Sequence, residues 1–348
     1  MFTREKTRRI KIGNITIGGK NKVLIQSMCT YKTSQVNKVI KQIKVCQELG
    51  ASLMRVSVLD EKDALAIKKI KQSIDIPLVA DIHFNHQLAI KAIKCGADKI
   101  RINPGNYPNI EDLKELIDLA RKHNVAIRIG VNSGSLNKTQ LTGDLATDLV
   151  EAALKFIKVF EEHKFYNLVI SLKDSDPVVA KDAYLKIAHL TNYPLHIGIT
   201  ESGFDEIGII RSCAGLVPLL ERGIGDTIRI SLSQDPLKEI LTCKRLLHDL
   251  GLYSNYPTII SCPTCGRIQV KNIKTYASLV LDYLEKNNKN IKVAIMGCVV
   301  NGVGEGEKAD LGIAGGNQKF VIFKNGQILK SVDEKDVLTE LFKEIDKY

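Results

Sequence analysis

The chain has no tryptophan, and aromatic residues make up only 5% of it. Stacking platforms for single-stranded nucleic acid are therefore poorly supplied, since each bound base needs a ring or a guanidinium plane to lie on. Long apolar runs are missing too, and none approaches the ~20 residues of a membrane-spanning helix. The opening MFTREKTRRIKIG is basic, but it contains Glu5 and lacks the apolar centre of a secretory signal. These absences lead us to expect a cytoplasmic protein with no membrane partner. The first β-rich run is not followed by a dinucleotide-type glycine fingerprint, which argues against an open doubly wound sheet. All seven histidines lie at or before His248, so none is close in sequence to the C-terminal cysteines.

A formal charge of +11 invites a nucleic-acid reading. The lysines, however, are spread over helical segments such as IKQIKVCQ and AIKKIKQ, where a solvated face explains them. A basic nucleic-acid-binding module stabilised by zinc is the weakest of the readings, and no nucleic-acid partner is expected.

From Val23 to Gly251 short apolar runs alternate with amphipathic segments. The runs are VLIQSM, LMRVSV, PLVADI, KIRINP, AIRIGVN, NLVISLKDS, LHIGITE and TIRISLS, and each precedes a helical pattern. Their starts recur about every 29 residues, the size of one βα unit. Eight such units predict a closed TIM (β/α)8 barrel over residues 1–254, in which the chemistry belongs at the C-terminal ends of the strands.

The polar residues there are Arg55, Asp81 with His83, Arg101 with Asn103, Arg128 with Asn132, Lys173, His196 with Glu201, and Arg229 with Ser231. Four strands repeat one theme: RVS, RIN, RIG and RIS. If those arginines face inward, four guanidinium groups and Lys173 converge on one mouth. So much like charge is costly unless an anion or counter-charges answer it, with Asp81, Asp174 and Glu201 available as partners. The arginine fork suits phosphate, so a polyphosphorylated small molecule is the expected ligand.

After Gly251 the pattern changes. Residues 255–348 predict a small α/β domain with a helix from roughly Asn272 to Lys286, the strand KVAIMG, a glycine bend GCVVNGVGEGE and a hairpin turning at Asn325-Gly326. Eight cysteines without a secretory signal read as reduced thiols and metal ligands. Cys262, Cys265 and Cys298 are grouped, with Glu305 seven residues after the last. Three thiols and a carboxylate can close a metal site, and the harder oxygen donor suggests a corner that can be vacated. By spacing alone an iron–sulfur cluster leads, zinc follows and a dithiol redox pair is third. A barrel hydrolase or lyase for phosphate ligands, with a structural zinc, is therefore the alternative function.

The blocks IGGKNKVLIQSM, ADIHF, KIRINPGN, RIGVNSGSL, HIGITESG, GIGDTIRISLS, CPTCGR, GCVVNGVGE and LGIAGGN run through nearly the whole chain. Through them it closely resembles the bacterial two-domain 4-hydroxy-3-methylbut-2-enyl diphosphate synthases, iron–sulfur enzymes of the non-mevalonate isoprenoid pathway. The resemblance implies a barrel followed by a domain like those of sulfite and nitrite reductases. It implies a [4Fe–4S] cluster on Cys262, Cys265, Cys298 and an exchangeable Glu305. It implies an oxidoreductase that opens and reductively dehydroxylates 2-C-methyl-D-erythritol 2,4-cyclodiphosphate with two electrons from flavodoxin or ferredoxin, working as a head-to-tail homodimer.

On that basis Arg55, Arg101, Arg128, Lys173 and Arg229 grip the diphosphate. Asn103, Asn132, Ser231 and Ser261 act as neutral donors, and Glu201, Asp81 and His83 handle protons. The chain departs from the family pattern in four places. Val303 stands where proline is usual, Asp174 follows Lys173 where a small residue is usual, Cys29-Thr30-Tyr31 replaces a more polar run, and Arg211 replaces a common lysine.

Overall fold

The computed structural model describes residues 4–82, 85–103, 110–136, 141–270, 272–316 and 319–348; within these, the side chains of residues 4, 110–112, 300, 301 and 305 are outside the description. His83 lies outside the described residues. The chain divides into two compact units, Met1–Leu252 and Tyr253–Tyr348.

The first unit opens with a hairpin of β1 (Ile10–Ile12) and β2 (Ile15–Ile17), paired in antiparallel register from Ile10↔Ile17 to Ile12↔Ile15. Gly13 turns it at φ +56°, where a Cβ would fall 2.7 Å from Asp98 Oδ1. The alternation IKIGNITI puts Ile10, Ile12 and Ile17 on one face. There they pack on Leu24, Ala126 and Val169, which lie at the starts of barrel strands. The hairpin therefore closes the floor of the barrel.

The barrel strands are β3 (Leu24–Met28), β4 (Leu53–Ser57), β5 (Leu78–Ile82), β6 (Lys99–Ile102), β7 (Ala126–Asn132), β8 (Leu168–Lys173), β9 (His196–Ile197) and β10 (Thr227–Ile228). All are parallel, in the order β8-β7-β6-β5-β4-β3-β10-β9, and the bridge Ile170↔Leu195 closes the ring. β5, β6 and β8 are buried at every position, as expected of strands covered by side chains inside and helices outside. The last two strands are only two residues long. At that seam the backbones run close together: a Cβ on Gly198 would lie 2.6 Å from the Arg229 carbonyl oxygen.

Helices α1 (Val36–Glu48), α2 (Glu61–Lys71), α3 (His86–Lys94), α4 (Ile110–His123), α5 (Leu145–Glu162), α6 (Pro177–Leu190), α7 (Asp205–Leu220) and α8 (Pro236–Asp249) alternate with the strands. Asp60, Asn85, Asp144, Asp176 and Asp235 cap their first turns with side-chain oxygens, which satisfies N–H groups that no helical carbonyl reaches.

The second unit is a five-stranded sheet in the order β11 (Thr258–Ser261), β12 (Lys292–Met296), β13 (Leu311–Gly315), β14 (Lys319–Lys324), β15 (Gln327–Asp333). The first three strands are parallel and the last two add antiparallel. The hairpin between β14 and β15 turns on Asn325 (φ +47°) and Gly326 (φ +76°), the backbone shape that an Asn-Gly pair favours. Helices α9 (Ile273–Lys286) and α11 (Val337–Ile345) bury Val280, Leu284, Leu341 and Ile345 against Val293, Ile295, Leu311 and Ile313 of the sheet.

The stretch expected to be a glycine bend is instead a short helix, α10 (Val299–Glu305). Gly302 and the C-cap Gly306 serve close packing, Gly304 has open space around it, and none of the three adopts left-handed backbone. A Cβ on Gly302 would meet Met296 Cβ at 2.8 Å and Ala314 Cβ at 2.9 Å, and one on Gly306 would meet Phe323 Cζ at 2.5 Å. Val303 fits this helix and packs on the cluster of Met296, Ala314 and Phe323. Among the described residues no helix is long and apolar enough to cross a membrane.

Candidate active site

Strand register sets the cationic face of the barrel. Ser57, Asp81, Arg101 and Arg128 are successive Cα partners on β4, β5, β6 and β7, so one row carries a carboxylate and two guanidinium groups side by side. Asp81 is 4% exposed and answers two cations: Arg101 Nη1 at 3.1 Å and Arg55 Nε at 3.5 Å. Arg55 also directs Nε and Nη2 at the Met28 sulfur, 3.1 and 2.8 Å away. Burial lowers the Arg55 pKa to about 10 even though Asp81 supports its charge.

On the far side of the ring, Arg229 forms a two-pronged pair with Glu239 of α8, Nε to Oε2 at 3.1 Å and Nη2 to Oε1 at 3.0 Å. Glu239 also accepts the Ser27 hydroxyl at 2.6 Å and the Leu232 N–H at 3.0 Å. Arg128 has no such answer: it is 1% exposed, and its Nε and Nη1 have no hydrogen-bond partner. Lys173 is buried as well. Burial first, then the charges of Arg128, Arg55, Arg229 and Arg101, hold its pKa well below the usual lysine value. The structure thus brings Arg55, Arg101, Arg128, Lys173 and Arg229 within electrostatic reach of one another.

The remaining expected site residues are placed as follows. Asn103, just after β6, is buried with Oδ1 unpartnered. Asn132 ends β7 half-buried, and its carbonyl accepts the Ser135 hydroxyl at 2.6 Å. Ser231 is half-buried, with its carbonyl held by the Ser202 hydroxyl. Glu201 is exposed in left-handed backbone at φ +51°. Asp174 does not engage Lys173; its Oδ1 accepts the Asp176 N–H at 2.6 Å. Arg211 donates to the Ser202 carbonyl at 2.9 Å.

Two charged residues absent from the expected set belong to this face. Glu239 reads in sequence as an ordinary first-turn acid of α8. Lys99 is fully buried, with Nζ 3.1 Å from Gln26 Oε1, and burial plus Arg128 and Arg55 hold its pKa well below the usual value. A signal for Lys99 existed: it precedes Arg101 by two residues on β6 and so shares its face.

In the second unit Cys262, Cys265 and Cys298 line one cavity of about 110 Å³, together with Pro263, Arg267, Met296 and Gly302. Cys262 follows β11, and its sulfur accepts the Gly297 N–H at 3.1 Å. Cys298 is the extended N-cap of α10. Cys265 is exposed, and the Arg267 N–H followed by the Arg267 side chain lower its thiol pKa. Ser261 is exposed at the end of β11. Glu305 ends α10, with its side chain outside the description.

The GcpE TIM-barrel domain model matches residues 7–244, and the GcpE C-terminal domain model matches residues 258–347. The chain belongs to the GcpE family. It is 50% identical over 99% of its length to the 4-hydroxy-3-methylbut-2-en-1-yl diphosphate synthase (flavodoxin) of Caldanaerobacter subterraneus, 98% of which is covered. It is 49% identical over 98% of its length to the enzyme of that name from Malacoplasma penetrans, 94% of which is covered. This GcpE chain is accordingly an oxidoreductase with a TIM barrel. Among solved structures, dihydropteroate synthase of Stenotrophomonas maltophilia matches 71% of this chain and 98% of its own at 13% identity and TM-score 0.54, a likeness of fold alone.

The three GcpE thiols share one cavity, and thiolates are the soft donors that iron–sulfur clusters and zinc both take. Among the described residues no three Cys, His, Asp or Glu side chains close on a single ion. The Gly297 N–H on Cys262 and the Arg267 N–H on Cys265 are hydrogen bonds of the kind that tune cluster sulfurs.

Proposed function

We propose that this enzyme converts 2-C-methyl-D-erythritol 2,4-cyclodiphosphate to 4-hydroxy-3-methylbut-2-enyl diphosphate by reductive ring opening and dehydroxylation. Two electrons would come from flavodoxin or ferredoxin through a [4Fe–4S] cluster on Cys262, Cys265, Cys298 and Glu305. The observation that carries the reading is the excess of buried cations over carboxylates at the mouth of the barrel, above all Arg128 with two unpartnered donors. A buried guanidinium left so is costly unless a ligand supplies the missing acceptors.

Arg55, Arg101, Arg128, Lys173 and Arg229 hold the diphosphate, which leaves one carbon on ring opening and stays bound to another, so it must remain fixed throughout. Asn103, Asn132, Ser231 and Ser261 add neutral contacts. The departing hydroxyl leaves as water and needs one proton. Asp81 is engaged by two guanidinium groups and serves to orient them. Glu201, in left-handed backbone after β9, and His83 are the candidates for handling that proton. When bound, a [4Fe–4S] cluster supplies single electrons and a Lewis-acidic iron. Family resemblance supports a cytoplasmic head-to-tail homodimer that presents one protomer's barrel to its partner's cluster.

The test is anaerobic incubation of the cluster-loaded enzyme with the cyclodiphosphate and dithionite, followed by mass-spectrometric identification of the product. Loading is checked by the broad absorbance near about 400 nm that iron–sulfur proteins show. Loaded enzyme that forms no hydroxymethylbutenyl diphosphate would refute the substrate assignment.

A further inference from the structure

Three carboxylates at the mouth of the barrel are already committed. Asp81 answers Arg55 and Arg101, Glu239 answers Arg229, and Asp174 caps the Asp176 N–H. Two lysines share that interior with Arg128. Among the described residues the hydrogen-bond acceptor at Lys99 Nζ is the neutral amide oxygen of Gln26, 3.1 Å away. Lys173 Nζ sits against the backbone of Gly198, where a Cβ would come within 3.0 Å of it. The charges acting on Lys99 are those of Arg128 on β7 and Arg55 on β4. Those acting on Lys173 are Arg128, Arg55, Arg229 and Arg101, from β7, β4, the end of β10 and β6. Every one of them is positive. His196 on β9 faces both lysines, and it too is buried and disfavoured as a cation.

Such a concentration of like charge must be relieved in the ligand-free protein. Burial lowers Arg55 only to about 10, so guanidinium groups, which start well above amines, give up their protons last and lysines yield first. Lysine can: buried lysines shift by several pH units, and half-neutralisation at pH 7 requires a bias of roughly 2,500-fold against the charged form from a starting pKa of about 10.4. An arriving diphosphate reverses the balance by placing negative charge beside the same amines.

We propose that anion binding at the mouth of the barrel is coupled to proton uptake inside it, with Lys99 and Lys173 as the groups that take the protons. The inference rests on the diphosphate reading above. It gives Lys99, which stands below the row that meets the ligand, the role of a positioning residue whose charge appears only when the ligand does. Selectivity follows, because an uncharged polyol of the same shape brings no charge to stabilise the protonated lysines.

The test is isothermal titration calorimetry of the cyclodiphosphate into cluster-loaded enzyme at pH 7.5, without reductant, in buffers of different ionisation enthalpy. The cyclodiphosphate carries only strongly acidic oxygens and is fully ionised there, so buffer-dependent heat reports protons bound by the protein. The expected result is net uptake of one to two protons per ligand in the wild type, falling by about one in Lys99→Met and in Lys99→Gln. Binding whose heat is the same in every buffer, or proton release, overturns the coupling. Unchanged uptake in either folded Lys99 variant overturns the assignment to Lys99. No binding at all by loaded enzyme overturns the diphosphate reading and the coupling with it. The wild-type measurement stands even if neither variant folds.

Discussion

Arg229 and Glu239 face each other through two parallel hydrogen bonds of 3.0 and 3.1 Å, and the glutamate, 3% exposed, comes from the helix that follows the strand. It accepts from Ser27 and Leu232 as well, so one carboxylate ties β3, the end of β10 and the start of α8 together. Removing it leaves a guanidinium whose side chain is only 14% exposed without its carboxylate. Glu239→Ala should cost about 3–5 kcal/mol, the usual penalty for breaking a buried pair from one side, read as a fall in the denaturant midpoint. The Michaelis constant for the cyclodiphosphate should rise because Arg229 is no longer held. A variant as stable as wild type would show that the pair is ornamental.

Arg128 makes the opposite case. With Nε and Nη1 unpartnered at 1% exposure, it weakens the ligand-free fold in exchange for a ready anion site. Arg128→Met should leave the free protein more stable by about 1–4 kcal/mol, as when buried charges give way to well-packed apolar side chains. The same change should reduce kcat/KM on the order of a hundredfold, the scale of losing a desolvated charge contact. Urea titration and steady-state kinetics on one preparation check both halves. A destabilised variant would mean that the guanidinium is satisfied in solution.

The sequence shows the barrel because its signal is local: each β-rich run is followed by a helix of compatible period, and eight of them leave a closed ring as the simplest arrangement. The cysteine grouping is legible for the same reason. What could not be read depends on phase and distance. Glu239 looks like a surface residue of a helix until the ring closes and brings Arg229 against it; Lys99 shares the phase of Arg101, but its distance from Arg128 and Arg55 depends on strands far off in sequence. The hairpin over Ile10–Ile17 shows its alternation plainly, but only packing on Ala126 and Val169 reveals it as the floor of the barrel. In GCVVNGVGEGE the glycine content suggests a flexible bend; the segment is a helix, and its glycines at 302 and 306 are there because Met296, Ala314 and Phe323 leave no room for a side chain.

His196 gives the fold a pH dependence of definite sign. It is fully buried, Nδ1 meets the Thr227 hydroxyl at 2.8 Å, and Nε2 has no partner. Burial first, then the neighbouring cations led by Arg128, hold its pKa well below 6.5. The unfolded chain therefore binds a proton below about pH 6.5 that the folded chain refuses, and stability falls as pH falls. Between pH 7.5 and 5.5 this one group should remove about 1.4 kcal/mol. Comparing unfolding free energies of wild type and His196→Asn at the two pH values isolates it. Equal losses in both proteins would show that His196 takes up a proton in the fold.

Cys265 should be the first thiol of the second unit to react. It is exposed, whereas Cys262 and Cys298 are half-buried, and the N–H and side chain of Arg267 lower its pKa. A lowered thiol pKa means more thiolate at neutral pH, and the thiolate is the nucleophile. In cluster-free protein, brief treatment with iodoacetamide at pH 7 followed by peptide mapping should find Cys265 alkylated ahead of the other two. Arg267→Ala should narrow that lead, since the side-chain contribution is lost while the backbone N–H remains. Faster labelling of Cys262 or Cys298 at pH 7 would place the reactive corner of the cavity elsewhere.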